Sequence, residues 1–370
     1  MSLSALLLSA AVWAVPEPVL ELAVLPDGLE ARVAGKPGTV GFVLCLGLGR
    51  GATRFEGGVE LGIVVAWQSE LVAVDADGVA FVRLDLPAGF APGLEFVAQG
   101  VVFDGSGAAA TPVLDRVVPR IGDPADVVVL LGQSNAEGYA DVADLDPRWR
   151  GPLPMVRVWN QLGAEWQPLA AGVNSHLLPG PFFGPEIGVG VSVATRDRPL
   201  WLLKFTVSAS SLGPLPGRLN EWGVGGDELY PILLARLGNA VEQIRATGLV
   251  PRVRLVCVMQ GETDCVYPEL ASAYEHNLDL FCAQLRADLR SREFADDGDP
   301  MIRIGLVSPF LLRIGLPEVS VVRSAQVAVA RRTERCEIIE TAALPLQADR
   351  VHFSASGCLL LGRRFAAPGW

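Results

Sequence analysis

The hydrophobic and polar positions divide the chain into two parts with different patterns. Up to about residue 120, short apolar runs rich in Val, Leu and Phe are interrupted by Gly, Pro and Asp about every ten residues. Long helical periodicity is absent from this part. Closely spaced strands separated by turn residues are typical of an antiparallel β-sandwich. The clearest predicted strands cover residues 39–46, 59–66, 79–86 and 94–103.

From residue 126 onward, continuous apolar runs alternate with amphipathic stretches. Residues 127–131 and 200–205 are apolar almost throughout, as expected of parallel strands buried on both faces. Further strands are predicted at residues 253–259, 302–307 and 337–340, and helices at residues 228–247, 267–292, 319–332 and 354–365. This alternation predicts a doubly wound α/β sheet, in which catalytic groups gather at the carboxyl ends of the strands.

The change of pattern predicts three segments. Residues 1–15 are interpreted as a signal peptide, because the apolar run is too short to span a bilayer and ends in small residues. No Lys or Arg precedes that run, so a first strand or a buried apolar tail is the alternative. Residues 16–120 are predicted to form the β domain and residues 121–370 the α/β domain, with a proline-containing linker at 111–125. A signal peptide implies a secreted or periplasmic protein.

Composition narrows the possible partners. Half of the residues are hydrophobic and 19% are charged, which is typical of a globular protein. A net charge of -11 disfavours nucleic acid and anionic membrane surfaces, and no stretch beyond the N-terminus predicts membrane insertion. Three histidines and no CxxC pair disfavour a multi-histidine metal centre, a zinc ribbon and a thioredoxin-like site. Six cysteines permit disulfides, although a buried free thiol is favoured for Cys257.

Two motifs carry the residue types of a serine hydrolase. Ser134 directly follows the first buried strand, where α/β hydrolases place a nucleophile, although Ala136 replaces the second glycine of a GxSxG elbow. The alternative for Ser134 is a helix N-cap. Asp349 and His352 stand three residues apart just before the last helix, where they can supply a carboxylate and a base. Together the motifs predict a triad in the order Ser, Asp, His.

A third motif, QGETD, closes the strand at 253–259. The side-chain amide of Gln260 and the backbone N–H of Ser134 are candidate oxyanion donors, each contributing about 3 kcal/mol. Glu262 and Asp264 are alternatively helix caps or members of a solvated acidic loop. A glycosidase with paired carboxylates is disfavoured, because two acids on one loop rarely face each other across a sugar.

The four motifs GQSNA, FGPE, QGETD and DRVH together resemble the sialate O-acetylesterase and acetylxylan esterase group of SGNH hydrolases, over residues 126–366. The resemblance implies a flavodoxin-like, three-layer α/β/α domain. It implies Ser134 as nucleophile, His352 as general base, Asp349 as its orienting acid and Gln260 in the oxyanion hole. The surrounding hydrogen-bond network would comprise Gln133, Asn135, Glu186 and Glu262. The β domain is not covered.

One segment departs from that group. After the strand at 200–205 the group usually carries Gly-Gly-Thr-Ser-Leu, whose backbone contributes to the oxyanion hole. This chain has Ser-Ala-Ser-Ser-Leu at 208–212. A backbone N–H near Ala209 remains available, but a turn that requires a positive φ would strain Ser or Ala and weaken catalysis.

The function that the resemblance implies is removal of O-acetyl groups from carbohydrates, either O-acetylated sialic acid or a polysaccharide. The predicted triad would carry it out through an acetyl-enzyme and without a cofactor. Loops at 136–183 and 213–228 are expected to set specificity, with His176 near the cleft mouth. Four aromatic residues are candidates for a sugar platform, although core packing is favoured for each singly: Trp159, Trp166, Trp222 and Tyr139. Two alternatives stay open: a non-catalytic carbohydrate-binding protein on the same fold, and an SGNH lipase or thioesterase with an apolar acyl pocket.

Overall fold

The computed structural model describes most of the chain in eight stretches. They are residues 17–36, 38–55, 58–160, 162–176, 180–193, 197–215, 220–295 and 298–369. The predicted signal peptide at 1–15 lies outside them. Within these stretches, no helix combines the length and the apolar character needed to cross a membrane.

The described chain divides into two compact units. The first consists mainly of Val33–Ala80 and Val97–Leu114, and the second of Glu21–Arg32, Phe81–Phe96 and the chain from Asp115 onward. The second unit therefore includes short pieces from the predicted β domain. The domain boundary predicted at residue 120 stays a prediction.

Strands account for the regular structure before residue 124. They are β1 (Val19–Leu25), β2 (Gly28–Ala34), β3 (Thr39–Arg54), β4 (Glu60–Gln68), β5 (Val72–Ala73), β6 (Val79–Leu84), β7 (Glu95–Asp104), β8 (Gly107–Ala110) and β9 (Leu114–Val117). One sheet has the order β1-β2-β6, and an antiparallel sheet has the order β4-β3-β7-β8. The expected linker at 111–125 contains β9. The sandwich arrangement stays a prediction.

The second unit continues with an alternation of strands and helices. The strands are β10 (Pro124–Gly132), β11 (Ala140–Asp141), β12 (Leu153–Asn160), β13 (Glu165–Leu169), β14 (Phe182–Phe183), β15 (Leu200–Thr206), β16 (Val250–Met259), β17 (Met301–Gly305) and β18 (Cys336–Ile339). The helices are α1 (Ser134–Glu137), α2 (Pro185–Val193), α3 (Leu229–Ala246), α4 (Pro268–Ser291), α5 (Val319–Arg332) and α6 (Ala355–Phe365).

Seven of these strands form one mixed sheet in the order β13-β12-β15-β10-β16-β17-β18. All neighbouring pairs are parallel except β12 and β13, which are antiparallel. The predicted α/β class is confirmed. The segment 136–183 was expected to be a loop, but it contains β11, β14 and the hairpin of β12 and β13. The helix α2, which follows it, was not predicted either.

The central strand β10 is buried on both faces. Val127 and Val129 belong to an apolar core shared with α3, α4 and α5, whereas Val128 and Leu130 belong to a second core shared with α2 and α6. Successive side chains of a strand point to opposite faces, so a strand covered on both sides is apolar at every position. This explains why β10 is an uninterrupted apolar run.

All six cysteines have free thiols. Cys257 is fully buried in β16, as the sequence favoured, and burial raises the pKa of its thiol. The disulfides that an even count permits are therefore not formed.

Candidate active site

Segments at the carboxyl ends of the central strands line one pocket of about 370 Å³. Residues after β10, β15, β16 and β17 contribute to it, together with the loop that precedes α6. The lining residues are Gln133, Ser134, Tyr139, Ser208, Ala209, Glu262, Thr263, Val266, Leu311, Ile314, Leu316, Val351 and His352. The pocket thus contains Ser134 and His352, which are 218 positions apart in the sequence.

Ser134 is placed by a tight connection between β10 and α1. Gly132 has a φ of +139°, and a Cβ there would lie 1.9 Å from the carbonyl oxygen of Met259, so only glycine fits. Ser134 is the first residue of α1, and within the described chain its N–H has no hydrogen-bond partner. The first N–H groups of a helix lack intrahelical acceptors, which leaves this donor available to a ligand.

His352 is held by Asp349 in the loop before α6. The Nδ1 atom of His352 lies 2.7 Å from Oδ2 of Asp349, and Oδ1 accepts hydrogen bonds from the N–H groups of Val351 (2.8 Å) and His352 (3.0 Å). Burial raises the pKa of Asp349, but these hydrogen bonds outweigh it and lower the pKa below its usual value. An ionised carboxylate favours the tautomer with the proton on Nδ1, which leaves Nε2 able to accept a proton.

Asn135 connects the serine turn to the histidine loop. Its Nδ2 donates to Oε1 of Glu262 (2.8 Å) and to the carbonyl oxygen of Val351 (3.1 Å), and its Oδ1 accepts from the N–H of Phe353 (3.0 Å). Asn135 is 2% exposed. One buried amide therefore fixes the residues on both sides of His352.

The turn after β15 contains a residue with a positive φ, the conformation that strains Ser or Ala. Ala209 lies in the left-handed region with a φ of +56°, where a β-carbon is unfavourable. Its N–H has no hydrogen-bond partner in the described part of the chain, and Ala209 lines the pocket. The same turn is anchored by the N–H of Leu212, which donates to Asp264 at 3.0 and 3.2 Å. Burial raises the pKa of Asp264 to about 6.

Gln260 lies outside the set of residues that line the pocket. It is 1% exposed, its Nε2 donates to Oδ2 of Asp264 (2.7 Å), and its Oε1 accepts from the hydroxyl of Tyr274 (3.0 Å). The side chain expected at the oxyanion position thus supports the carboxylate that anchors the turn at Leu212.

Glu262, in contrast, reaches the pocket. It is 4% exposed, and burial raises the pKa of its carboxyl group. Its Oε1 accepts from Asn135, whereas its Oε2 has no hydrogen-bond partner among the described residues.

Gln133 and Glu186 serve different parts of the expected network. Gln133 lines the pocket, and its Oε1 accepts from the N–H of Thr263 (3.2 Å). Glu186 is fully buried away from the pocket lining, where it accepts from the N–H of Gly184 (2.7 Å) and from Nζ of Lys204 (2.7 Å). A buried carboxylate needs such partners, so the FGPE motif is explained by an internal ion pair.

The candidate aromatic platform is mostly core. Trp159 and Trp222 belong to the apolar core on the α3 side, and Trp166 packs against it. Tyr139 is the member of this set that lines the pocket, and its ring centroid lies 5.1 Å from that of His352.

Glu137 and Ser208 make contacts that no motif of the sequence predicts. Oγ of Ser208 donates to Oε2 of Glu137 (2.5 Å) and lies 2.8 Å from the hydroxyl of Tyr139. Oε1 of Glu137 lies 3.1 Å from Nε2 of His176. Glu137 follows the GQSNA motif directly, and this adjacency is the one signal that could have drawn attention to it.

The described residues contain no group of three or more His, Cys, Asp and Glu side chains that could hold a metal ion.

A sheet of this kind, with a serine and a histidine–aspartate pair in one pocket at its carboxyl edge, defines an α/β hydrolase-like domain. Residues 124–368 match the family described as "Carbohydrate esterase, sialic acid-specific acetylesterase", and the chain belongs to this family. Membership supports a hydrolase that acts on esters. No curated protein matches the sequence.

Two solved structures share the fold. A protein from Arabidopsis thaliana is 19% identical with a TM-score of 0.51, over 66% of this chain and 96% of its own. NanS is 14% identical with a TM-score of 0.51, over 67% of this chain and 97% of its own. At these identities the likeness concerns the fold.

Proposed function

We propose that the protein is a serine esterase of the SGNH type, with a flavodoxin-like catalytic domain, that removes O-acetyl groups from carbohydrates. The observation that carries the proposal is one pocket lined by Ser134, by His352 bonded to Asp349, and by Ala209. The N–H groups of Ser134 and Ala209 have no partner in the described chain. A nucleophile, a base with its carboxylate and two free donors are the parts that acyl transfer requires.

In the first step, Oγ of Ser134 attacks the acetyl carbonyl carbon and its proton passes to Nε2 of His352. The N–H groups of Ser134 and Ala209 donate to the oxyanion of the tetrahedral intermediate. The C–O bond to the sugar then breaks, and the imidazolium returns the proton to the leaving alcohol. Water, activated by His352, hydrolyses the acetyl-enzyme to acetate. Asp349 stabilises the imidazolium throughout.

Gln260 contributes through Asp264, which anchors the turn of Ala209. Gln260 itself does not contact the oxyanion in this mechanism.

The proposed substrates are O-acetylated sialic acid or an O-acetylated polysaccharide. The description of the matching family supports an acetylated sugar. Because such sugars occur outside the cytoplasm, and because residues 1–15 have a signal-peptide pattern, we propose that the protein is exported.

The test is hydrolysis of p-nitrophenyl acetate by wild type, Ser134→Ala and Ser272→Ala. Ser272 is an exposed serine of α4, so its replacement is a matched control. Wild type and Ser272→Ala should be active, and Ser134→Ala should lose at least about a thousandfold in kcat. Full activity of Ser134→Ala would refute the site. A folded but inactive wild type would favour the non-catalytic carbohydrate-binding protein.

A second candidate function is hydrolysis of esters with longer acyl chains. Five aliphatic residues line the same pocket: Val266, Leu311, Ile314, Leu316 and Val351. An apolar lining is what a lipase or thioesterase requires. p-Nitrophenyl esters from acetate to octanoate distinguish the two. A steep fall in kcat/KM beyond propionate supports the acetylesterase, whereas a rise towards octanoate supports the alternative.

A further inference from the structure

We propose that Glu137, Ser208 and Tyr139 form a positioning relay that holds the imidazole of His352 and the turn of Ala209 in one arrangement. The inference rests on the proposed function, because it assigns these side chains to the support of the same reaction. The relay consists of hydrogen bonds between the three side chains and of the ring contact between Tyr139 and His352.

Tyr139 forms the contact with His352. The two rings have centroids 5.1 Å apart and an interplanar angle of 56°. The backbone on either side is fixed by Gln347, whose amide donates to the carbonyl oxygen of Tyr139 (2.9 Å) and whose N–H donates to that of His352 (2.8 Å). The Tyr139 ring also contacts the rings of His176 and Phe182, and its hydroxyl adds a directional contact to these.

That hydroxyl contacts Ser208, the residue before Ala209. The oxygens of Tyr139 and Ser208 are 2.8 Å apart. Burial raises the pKa of Tyr139, so the hydroxyl stays protonated near neutral pH. The resemblance implies glycine at this position, and glycine has no side chain to make this contact. The departure at 208–209 therefore adds a hydrogen bond to the turn that contains Ala209, a residue at a φ of +56°.

Glu137 connects the pair to the helix of Ser134. It is the last residue of α1, is 6% exposed, and accepts from Oγ of Ser208 at 2.5 Å. Its other oxygen faces His176 at 3.1 Å, and its backbone carbonyl accepts from Nζ of Lys204 at 2.5 Å. A buried carboxylate with partners on several elements has little freedom to move, so it is a firm anchor for Ser208.

The relay thus joins three segments that the reaction must keep aligned. Displacement of catalytic groups by about 1 Å can cost about a hundredfold in rate. Loss of one hydrogen bond should loosen the imidazole without removing any reacting group. The expected signature is a lower kcat with little change in KM.

The test uses Tyr139→Phe, Ser208→Ala and Ser208→Thr in the full chain, with Tyr230→Phe as control. The hydroxyl of Tyr230 donates to Asp288 at 2.6 Å, and neither residue lines the pocket. Tyr230→Phe therefore removes one tyrosine hydrogen bond, as Tyr139→Phe does, but outside the pocket. We expect kcat for p-nitrophenyl acetate to fall about tenfold in Tyr139→Phe and Ser208→Ala, with KM within about twofold. Ser208→Thr, which keeps the hydroxyl, should restore most of kcat, and Tyr230→Phe should match wild type.

A second readout does not depend on esterase activity. The chain has three histidines, His176, His276 and His352, so their ring nitrogens can be followed in ¹⁵N-histidine NMR spectra and assigned by replacing each in turn. The ring ¹⁵N chemical shifts of His352, measured at one fixed pH, should change in Tyr139→Phe and Ser208→Ala, because the Tyr139 ring that contacts it is displaced, and should stay unchanged in Tyr230→Phe. If wild type has no esterase activity, the proposed function fails. The change in the NMR signals of His352 then tests the relay by itself. The relay is refuted if kcat is unchanged in both relay variants. For an inactive wild type, it is refuted if the ring ¹⁵N chemical shifts of His352 are unchanged in both.

Discussion

Glu262 is a buried residue that lines the pocket. Its Oε1 accepts from Asn135 at 2.8 Å, and burial raises the pKa of the group. A carboxyl group that is held neutral by burial can act as a hydrogen-bond donor towards a ligand. Glutamine, an amide of the same shape, would then replace Glu262 with little loss of kcat. A carboxylate that acted by its negative charge could not be replaced by an amide without a large loss of kcat.

Glu262→Gln is therefore expected to keep kcat within about threefold of wild type and to be the more stable protein at high pH. The raised pKa means that the folded state binds more protons than the unfolded state above the usual Glu pKa. The free energy of unfolding of wild type thus falls as pH rises through that range, and the Gln variant lacks this fall. Urea unfolding at pH 4 and pH 8 measures the difference between the two proteins.

The stability difference should be small at pH 4 and favour Glu262→Gln at pH 8. Glu262→Ala is the control, because it also removes the acceptor for Asn135 and should lose both stability and activity. A Gln variant that is less stable than wild type at pH 8 would contradict the argument.

At the same scale, the sequence could predict residues that share a short motif but not residues that meet across the fold. Ser134 follows an apolar run, and Asp349 and His352 are three positions apart, so local patterns reveal them. Ser208 and Glu137 are separated by 71 positions. Their contact depends on the register of β10 against β15, which pairs Gly132 with Thr206. No local pattern encodes that register.

Among the connecting elements, the turn after β15 contains a residue in an unfavourable conformation. The left-handed φ of Ala209 costs about 1 to 2 kcal/mol relative to glycine. Replacing alanine by glycine lowers the free energy of unfolding by about 0.4 to 1 kcal/mol, because the unfolded chain gains conformational freedom. Ala209→Gly should therefore raise the free energy of unfolding by up to about 1.6 kcal/mol, with a central value of about 0.8 kcal/mol, measured by urea denaturation. It should keep kcat because the N–H remains.

Ala164 offers a matched comparison. It has a φ of 49°, is exposed and lies outside the pocket lining. Ala164→Gly should give a similar gain in stability with no effect on kinetics. Destabilisation by both substitutions would show that the glycine entropy outweighs the strain.

Elements were predictable where their burial is uniform. β10 and β15 are apolar throughout because helices cover both faces of the sheet. The hairpin of β12 and β13 was missed because Arg157 interrupts the apolar run of β12, and its buried guanidinium pairs with Glu30, 127 positions away. α2 was missed for the opposite reason: every residue from 185 to 190 is buried, so most of the helix lacks the amphipathic pattern that predicts one.

For the whole molecule, free thiols make stability independent of the redox state. None of the six cysteines is bonded to another, and five of them are buried. Breaking a disulfide typically costs about 2 to 5 kcal/mol, so a reductant would lower the melting temperature if one were present. We expect dithiothreitol to leave the melting temperature of the full chain unchanged. Six alkylated cysteines in mass spectrometry of the unreduced, unfolded protein provide the control, and fewer than six would contradict the structure.

The long reach of the pocket contacts has a consequence for how activity arises during folding. Asn135 is bonded to Phe353 across 218 positions, and Gln347 to Tyr139 across 208. Contacts of such separation form late, because the entropy of closing the intervening chain must be overcome before they stabilise anything. Since the loop of His352 directly precedes α6, it reaches Ser134 only when this last helix docks. Catalytic competence should therefore appear in a single late event, with collapsed intermediates that have formed most of the sheet still inert.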